Sequence, residues 1–248
     1  MSPSERSDVA LVVGAGDFIG AAIARRIAAG GVTTVLGRRK ADKLAPLVAE
    51  IAAAGGRAHG MALDARDEAN VQAVFDAIER DLGPLAVVVF NVGANVSFPI
   101  RDTTSRVFRK VWEMACFGGF LTGREAAKVM VPRRRGSIFF TGATASLRGG
   151  PGYGAFASAK AGLRILAQSM ARELWPENIH VAHLVIDAGV DTEWVRQRLR
   201  AAGRDPATLP ADALMRPASI ADAYWALHHQ PRDAWTFEAE IRPYREPW

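Results

Sequence analysis

The chain carries a single cysteine, Cys116, in 248 residues. No internal disulfide can form, so stability must come from a buried core, and a reducing, cytoplasmic setting is expected. Long hydrophobic runs are also missing. None approaches the roughly 20 apolar residues of a membrane helix, and residues 1–8 lack the apolar centre of a signal peptide, so no membrane partner is expected. The five histidines, His59, His180, His183, His228 and His229, fall at no ligand spacing with Asp, Glu or Cys, and no metal site is expected. Repeats, low-complexity tracts and interior linkers are absent, which makes one domain the simplest reading. The net charge is +5, but the basic clusters Arg38-Arg39-Lys40 and Arg133-Arg134-Arg135 have no interleaved aromatic residues of the kind a base-stacking platform needs. They read as solvated surface, and nucleic acid is not an expected partner.

What is present is an even supply of apolar residues, 49% of the chain, in short runs. Val9–Val13, 32–36, 58–63, 86–90, 137–140 and 181–186 read as buried strands, each short and closed by a polar residue or glycine. Ile19–Ala29, 41–54, 68–81, 106–130 and 156–174 read as helices, and 236–241 as a last strand before an aromatic tail. This alternation predicts an α/β fold: a single-domain, Rossmann-type, doubly wound parallel sheet with helices on both faces. The charged segment 188–217, punctuated by Gly203, Pro206 and Pro210, breaks the rhythm. In such a fold it lies beyond the carboxyl ends of the strands, where ligands bind, and is expected to act as a substrate flap. Cys116 falls in an apolar helix and is expected to be a packing residue, as is His183 within a buried strand.

The first strand runs into Gly14-Ala15-Gly16-Asp17-Phe18-Ile19-Gly20, and a helix follows. Gly14 permits a tight turn, small residues let the backbone approach a pyrophosphate, and the helix N-terminus offers unpaired N–H groups. A dinucleotide is therefore expected here. The second strand ends in Leu36-Gly37-Arg38-Arg39-Lys40. An NAD site usually places a carboxylate there for the ribose 2′-hydroxyl; none is present, and Arg38 and Arg39 suit a 2′-phosphate. The expected cofactor is NADP(H) rather than NAD(H).

With these motifs in order, the chain resembles the short-chain dehydrogenase/reductase family over nearly its whole length. Gly14–Gly20 looks like that family's TGxxxGxG turn, with Val13 for Thr and Phe18 for the middle glycine. Asp64, followed by Ala65, stands where the family contacts adenine. Phe90-Asn91-Val92-Gly93 looks like NNAG, and Val190-Asp191-Thr192 like the end of PGxxxT, whose Thr holds the nicotinamide amide; the Pro-Gly itself reads Asp187-Ala188. The resemblance thus implies cofactor contacts at Gly14, Gly16, Asp17, Phe18, Ile19, Gly20, Arg38, Arg39, Asp64, Ala65, Asn91, Val92, Gly93, Lys160, Val190 and Thr192. It also implies a homodimer or homotetramer through helices 106–130 and 156–174, whose small residues, Gly118, Gly119, Ala126, Ala127, Ala157, Ala159, Ala161 and Gly162, would allow close approach.

The family's chemistry rests on an Asn, Ser, Tyr, Lys tetrad. Here the matching positions are Ala115, Ala143, Phe156 and Lys160, so only the lysine remains. Losing acid–base help costs about 10²–10⁴ in rate, and losing carbonyl polarisation costs more. Tyr153 lies seven residues before Lys160, the Tyr-x6-Lys spacing of the enoyl reductases, and is the candidate replacement, with water the other; Thr144 and Ser146 have the wrong spacing. Two functions follow. One is an NADP(H)-dependent oxidoreductase acting on a carbonyl or activated C=C substrate, with Lys160 and Tyr153 as its catalytic residues. The other is a catalytically silent NADP(H)-binding protein, a sensor or assembly partner. The substrate itself is not named by these residues; its pocket is expected from 94–100, 144–151 and the flap.

Overall fold

A computed structural model describes residues 7–246; the first six residues and the last two, and with them most of the leader reading and the end of the aromatic tail, lie outside the described residues. Seven parallel strands form one sheet in the order β3-β2-β1-β4-β5-β6-β7. They are β1 (Val9–Val13), β2 (Thr33–Arg38), β3 (Ala58–Ala62), β4 (Leu85–Phe90), β5 (Gly136–Thr141), β6 (Ile179–Ile186) and β7 (Glu238–Ile241). The helices are α1 (Ile19–Ala29), α2 (Ala45–Ala53), α3 (Glu68–Ala77), α4 (Ser105–Trp112), α5 (Gly118–Met130), α6 (Gly154–Leu174), α7 (Glu193–Ala201) and α8 (Pro217–His228). The expected doubly wound, single-domain architecture is the one observed.

The strand composition follows from burial on both faces. In β1, Val9, Leu11 and Val13 join one core with Phe75, Leu121 and Leu163. Ala10 and Val12 face the other core with Ile23, Ile27, Leu36 and Tyr224. A central parallel strand thus needs no polar alternation, and its sequence reads as an unbroken apolar run. The edge strand β3 differs from this: none of its residues is buried and most are exposed. A buried hydrogen bond of 2.7 Å between Thr141 Oγ1 and the Tyr224 hydroxyl ties α8 to β5.

Several element boundaries depart from the periodicity. The single helix expected at 106–130 is continuous but widens into a π turn over Glu113–Phe117, where Ala115 and Cys116 are buried. Helix 41–54 opens with a 3-10 turn at Ala41–Leu44, and 68–81 ends in a π turn at Ile78–Leu82. The last strand starts later, at Glu238, and α6 starts two residues early, at Gly154. Segment 188–217 is not a plain loop. Thr192 caps α7, its Oγ1 accepting from the Val195 N–H, and a parallel bridge between Val190 and Met215 closes the base of the excursion. Several of the small residues expected to meet a partner chain also serve internal packing, while Ala161 stays exposed and Ala127 and Ala157 half-buried. A Cβ on Gly119 would lie 2.3 Å from Leu163, and one on Gly162 3.0 Å from Cys116, while Ala126 and Ala159 are fully buried.

Three histidines withdrawn from water make the fold acid-sensitive. Burial pushes His183 down to about 4, although Glu238 at 3.0 Å opposes the shift and Lys160 and Arg164 add to it. Burial, helped by His229, also brings His228 to about 4. Burial lowers His180 too, although its bond to the Thr236 carbonyl opposes the shift. The unfolded chain binds protons near pH 6.5 and the folded chain does not, so stability falls as pH drops from about 6.5 to about 4, by ~1.4 kcal/mol per pH unit for each of His183 and His228. Urea unfolding at pH 7, 6 and 5 should show this slope above the carboxylate range, and a His183→Asn variant should show a shallower one. A flat profile above pH 5 would contradict the assignment.

Candidate functional site

The sheet order reverses between β1 and β4, whose chain continuations leave toward opposite faces and open a crevice at their carboxyl ends. The glycine turn lies there. Gly14 has φ +87°, and a Cβ on it would sit 2.6 Å from the Asn91 carbonyl oxygen. The Gly14 and Ala15 N–H groups both donate to the Gly37 carbonyl at 3.0 Å, and Asn91 Nδ2 donates to the Gly14 carbonyl at 3.2 Å. A Cβ on Gly20 would lie 2.3 Å from the Gly14 oxygen, so α1 packs directly onto the turn. In front of Gly16 there is nothing within 4 Å, and no side chain caps α1. Backbone, a helix N-terminus and open space are thus arranged as a pyrophosphate requires.

Beside the turn is a hollow of about 200 Å³ lined by Arg38, Arg39, Asp64, Ala65, Arg66 and Met114 among others. Here two sequence readings gain partners. Arg38 donates to Asp17 at 2.9 Å, so an acid from the glycine turn stands where strand two supplies none. Asp64 is gripped by Arg66, at 2.6 and 2.9 Å. That hydrogen bonding holds the Asp64 carboxyl below its ordinary range against the opposing effect of burial. Arg66 had no motif to announce it; its two-residue spacing from Asp64 was the only available cue.

On the other side of the turn lies a cleft of about 690 Å³. Its walls bring together Gly14, Gly16, Asp17, Phe18, Ile19, Gly20, Asn91, Val92, Gly93, Lys160, Val190 and Thr192 with Tyr153, Phe156 and Ala143. Of the tetrad-equivalent positions, Ala115 is the exception. It is fully buried in the π turn, packed with Val111, Ala155, Phe156 and Ala159. Lys160 is 4% exposed and its Nζ donates to the carbonyls of Thr141 at 2.8 Å and Val92 at 3.2 Å. Burial pushes its amino group down to about 8. Tyr153 immediately precedes α6, so the early helix start that would share a face with Lys160 stops one residue short of it. Its hydroxyl accepts from Arg198 of α7 at 3.4 Å. Ser146 points away from this wall, its Oγ accepting from the Ala143 N–H at 3.1 Å.

The group that sequence reasoning passed over is built on Asp187. This side chain is 1% exposed and ends β6 where the family pattern has proline. It accepts from Thr144 Oγ1 at 2.5 Å, from Arg148 Nη2 at 3.0 and 3.1 Å, and from Arg242. Burial alone would raise its carboxyl; these donors outweigh it and hold it below the ordinary range. The departure from Pro-Gly was visible in the sequence, but its partners lie 39 to 55 residues away.

A family model described as short chain dehydrogenase matches residues 8–202. The 2-dehydro-3-deoxy-D-gluconate 5-dehydrogenase of Formosa agariphila is 30% identical over 177 residues, 71% of this chain and 67% of that protein. The 2,3-dihydro-2,3-dihydroxybenzoate dehydrogenase of Bacillus subtilis is 27% identical, covering 87% of this chain and 86% of its own. Among solved structures, a short-chain dehydrogenase from Rhodopseudomonas palustris shares 56% identity at a TM-score of 0.82, over 96% of this chain and 100% of that one. A metagenomic short-chain oxidoreductase in complex with NADP is 26% identical at a TM-score of 0.81, over 98% and 100%. No helix among the described residues is long and apolar enough to cross a membrane.

Lys160 is costly to the fold, because a buried ammonium satisfied only by two carbonyls loses solvation that those carbonyls do not fully replace. Lys160→Met is therefore expected to leave the melting temperature unchanged or higher. A fall of ~4 °C or more, about 1 kcal/mol for a chain of this size, would show that the lysine is a structural brace.

Proposed function

The chain belongs to the short-chain dehydrogenase family, and from that premise we propose that it is an NADP(H)-dependent oxidoreductase acting on a carbonyl or activated C=C substrate, with Tyr153 in place of the missing tyrosine at position 156. The observation that carries this reading is the continuity of one cleft from the glycine turn to Tyr153, Lys160 and Thr192. A cofactor laid along the turn would bring its reactive ring to the tyrosine.

The reduced nicotinamide supplies the hydride when bound. The residues do the rest. Gly14, Gly16 and the N-terminus of α1 receive the pyrophosphate, and Arg38 and Arg39 stand beside the ribose 2′ position. Asp64 and Ala65 border the adenine. Lys160, anchored on the Val92 and Thr141 carbonyls, presents its remaining N–H to the nicotinamide ribose. Thr192 keeps its hydroxyl proton for the carboxamide, since its oxygen is an acceptor in the α7 cap. Tyr153 likewise accepts from Arg198, which leaves the phenolic proton to be given to the substrate oxygen. Segment 188–217 acts as the flap: α7, with no buried residue of its own, carries Arg198 onto the tyrosine.

The silent-binder reading is favoured by one observation. Ala143 and Phe156 turn only apolar atoms to the cleft where the family's carbonyl-binding hydroxyls belong. A homodimer or homotetramer in the cytoplasm is also proposed. Exposed Phe108, Trp112 and Phe120, on α4 and α5, give the partner chain its apolar contact.

Calorimetric titration is expected to give tighter binding of NADPH than of NADH, and Arg38→Ala with Arg39→Ala to remove at least about tenfold of that preference; tighter NADH binding would overturn the cofactor assignment. NADPH oxidation over ketones and enoyl thioesters should fall about 10²–10⁴ in Tyr153→Phe, with NADPH affinity intact. Tight NADPH binding without turnover on any substrate would select the silent binder, and activity gained only in Phe156→Tyr would place the acid back at 156.

A further inference from the structure

We infer that the substrate is an apolar molecule bearing a carboxylate, and that Arg148 reads that group. This rests on the reading of the cleft as a substrate site.

The carrier of the inference is a pair of departures from the family pattern that meet in space. Asp187 stands in place of a proline at the end of β6, and Arg148 lies in the loop after β5; only one nitrogen of the guanidinium, Nη2, is engaged, and it spans both Asp187 oxygens. Nε and Nη1 make no hydrogen bond among the described residues. The Arg148 side chain is 55% exposed while the Asp187 carboxylate is 2% exposed. A half-exposed arginine pinned at its tip by a buried acid is a fixed donor rather than a mobile surface charge. Arg148 lines the same cleft as Tyr153 and Lys160.

The charge of the acid does not cancel this donor. Asp187 also accepts from Thr144 and Arg242, so its oxygens are shared among three donors, two from the loop after β5 and one from beyond β7. Lys160 does not compete for an anion at this end, since its Nζ is tied to the Val92 and Thr141 carbonyls. The cleft that Arg148 lines also carries Ala143, Ala145, Tyr153, Phe156 and Ile186, beside polar Asn95 and Thr192. A planar fork with two open N–H groups matches a carboxylate in shape and charge, and the apolar walls suit a hydrocarbon or aromatic body. Were the arginine there only to brace Asp187, Arg242 and Thr144 would already satisfy the acid, and the exposed half of the guanidinium would have no use.

The test compares acetate, benzoate and 2-naphthoate with their amides, binding each to the full chain by calorimetry, with and without saturating NADPH. The carboxylates should bind about tenfold or more tightly than the amides, the ratio a charge-assisted hydrogen bond supplies, and affinity should grow with apolar bulk. Arg148→Gln should erase the difference by weakening the carboxylates alone, and Arg148→Lys should keep part of it. Because the side chain is half-exposed, circular dichroism melts should show both variants folded. Equal binding of acid and amide, no binding of any carboxylate, or a preference that persists in Arg148→Gln each overturns the inference. The NADPH titration separates this from the cofactor reading: a chain that prefers carboxylates through Arg148 but binds no NADPH would defeat the latter and keep the former.

Discussion

Everything at the site depends on how closely two backbones approach at the carboxyl ends of β1 and β4. Gly14 sits against the Asn91 carbonyl at a distance no Cβ would permit, and the Asn91 side chain and the Gly37 carbonyl tie the three strand ends together. This contact fixes the start of α1 relative to β4. The position of Val92 follows, because it continues from Asn91, and Val92 supplies one of the two carbonyls that hold Lys160. A glycine turn, a crevice and a buried lysine are therefore one construction, and a side chain at position 14 would disturb all three.

The polar groups of the cleft show the opposite tendency from its backbone. Three tetrad-equivalent positions carry alanine or phenylalanine, and the phenylalanine and one alanine are packed as core. Polarity has not disappeared from the cleft; it has moved to the ends of β6 and β7, where Asp187 gathers Thr144, Arg148 and Arg242. Burying a carboxylate is tolerable only when its oxygens are fully satisfied, and here three donors do so. Lys160 lacks any such counter-charge nearby. Its lowered proton affinity is the physical record of a cation retained at a cost to the fold, which is the pattern expected where function, not stability, keeps a residue.

Much of this architecture was readable from local pattern. The β1 run, the turn after it and the helix that follows announce themselves within twelve residues, because burial on both sheet faces and the needs of a tight turn leave few residue choices. The π turn at Glu113–Phe117 was not readable, since the register shift it makes falls in a stretch, 114–120, that is apolar or glycine throughout and so shows no clear face to shift. Helix α7 was missed for a different reason. It buries none of its residues, so it has no core-facing stripe, and only Thr192 as a cap marks its start. The Asp187 cluster was illegible as a cluster because its members come from three separate segments, and long-range ion pairs leave no periodic trace in sequence. The small residues of α5 and α6 were ambiguous in principle: closeness between helices and closeness between chains ask for the same side chains, and the packing against Leu163 assigns Gly119 to the first.

The Asp17–Arg38 pair bears on how the proposed cofactor would be chosen. Asp17 is 68% exposed at its side chain and Arg38 25%, so water screens the pair, and such pairs contribute about 0–1 kcal/mol. A 2′-phosphate carries more charge and would meet both Arg38 and Arg39, with hydrogen bonds to charged groups worth ~1.5–3 kcal/mol each. On the proposed reading, the phosphate would therefore win Arg38 from Asp17. A 2′-hydroxyl would not, because it offers the guanidinium too little to replace a carboxylate and finds no acid of its own on strand two. The same aspartate that keeps Arg38 satisfied in the free chain would thereby work against a dinucleotide lacking the phosphate, so the proposed discrimination would come from what Arg38 must give up as much as from what it gains.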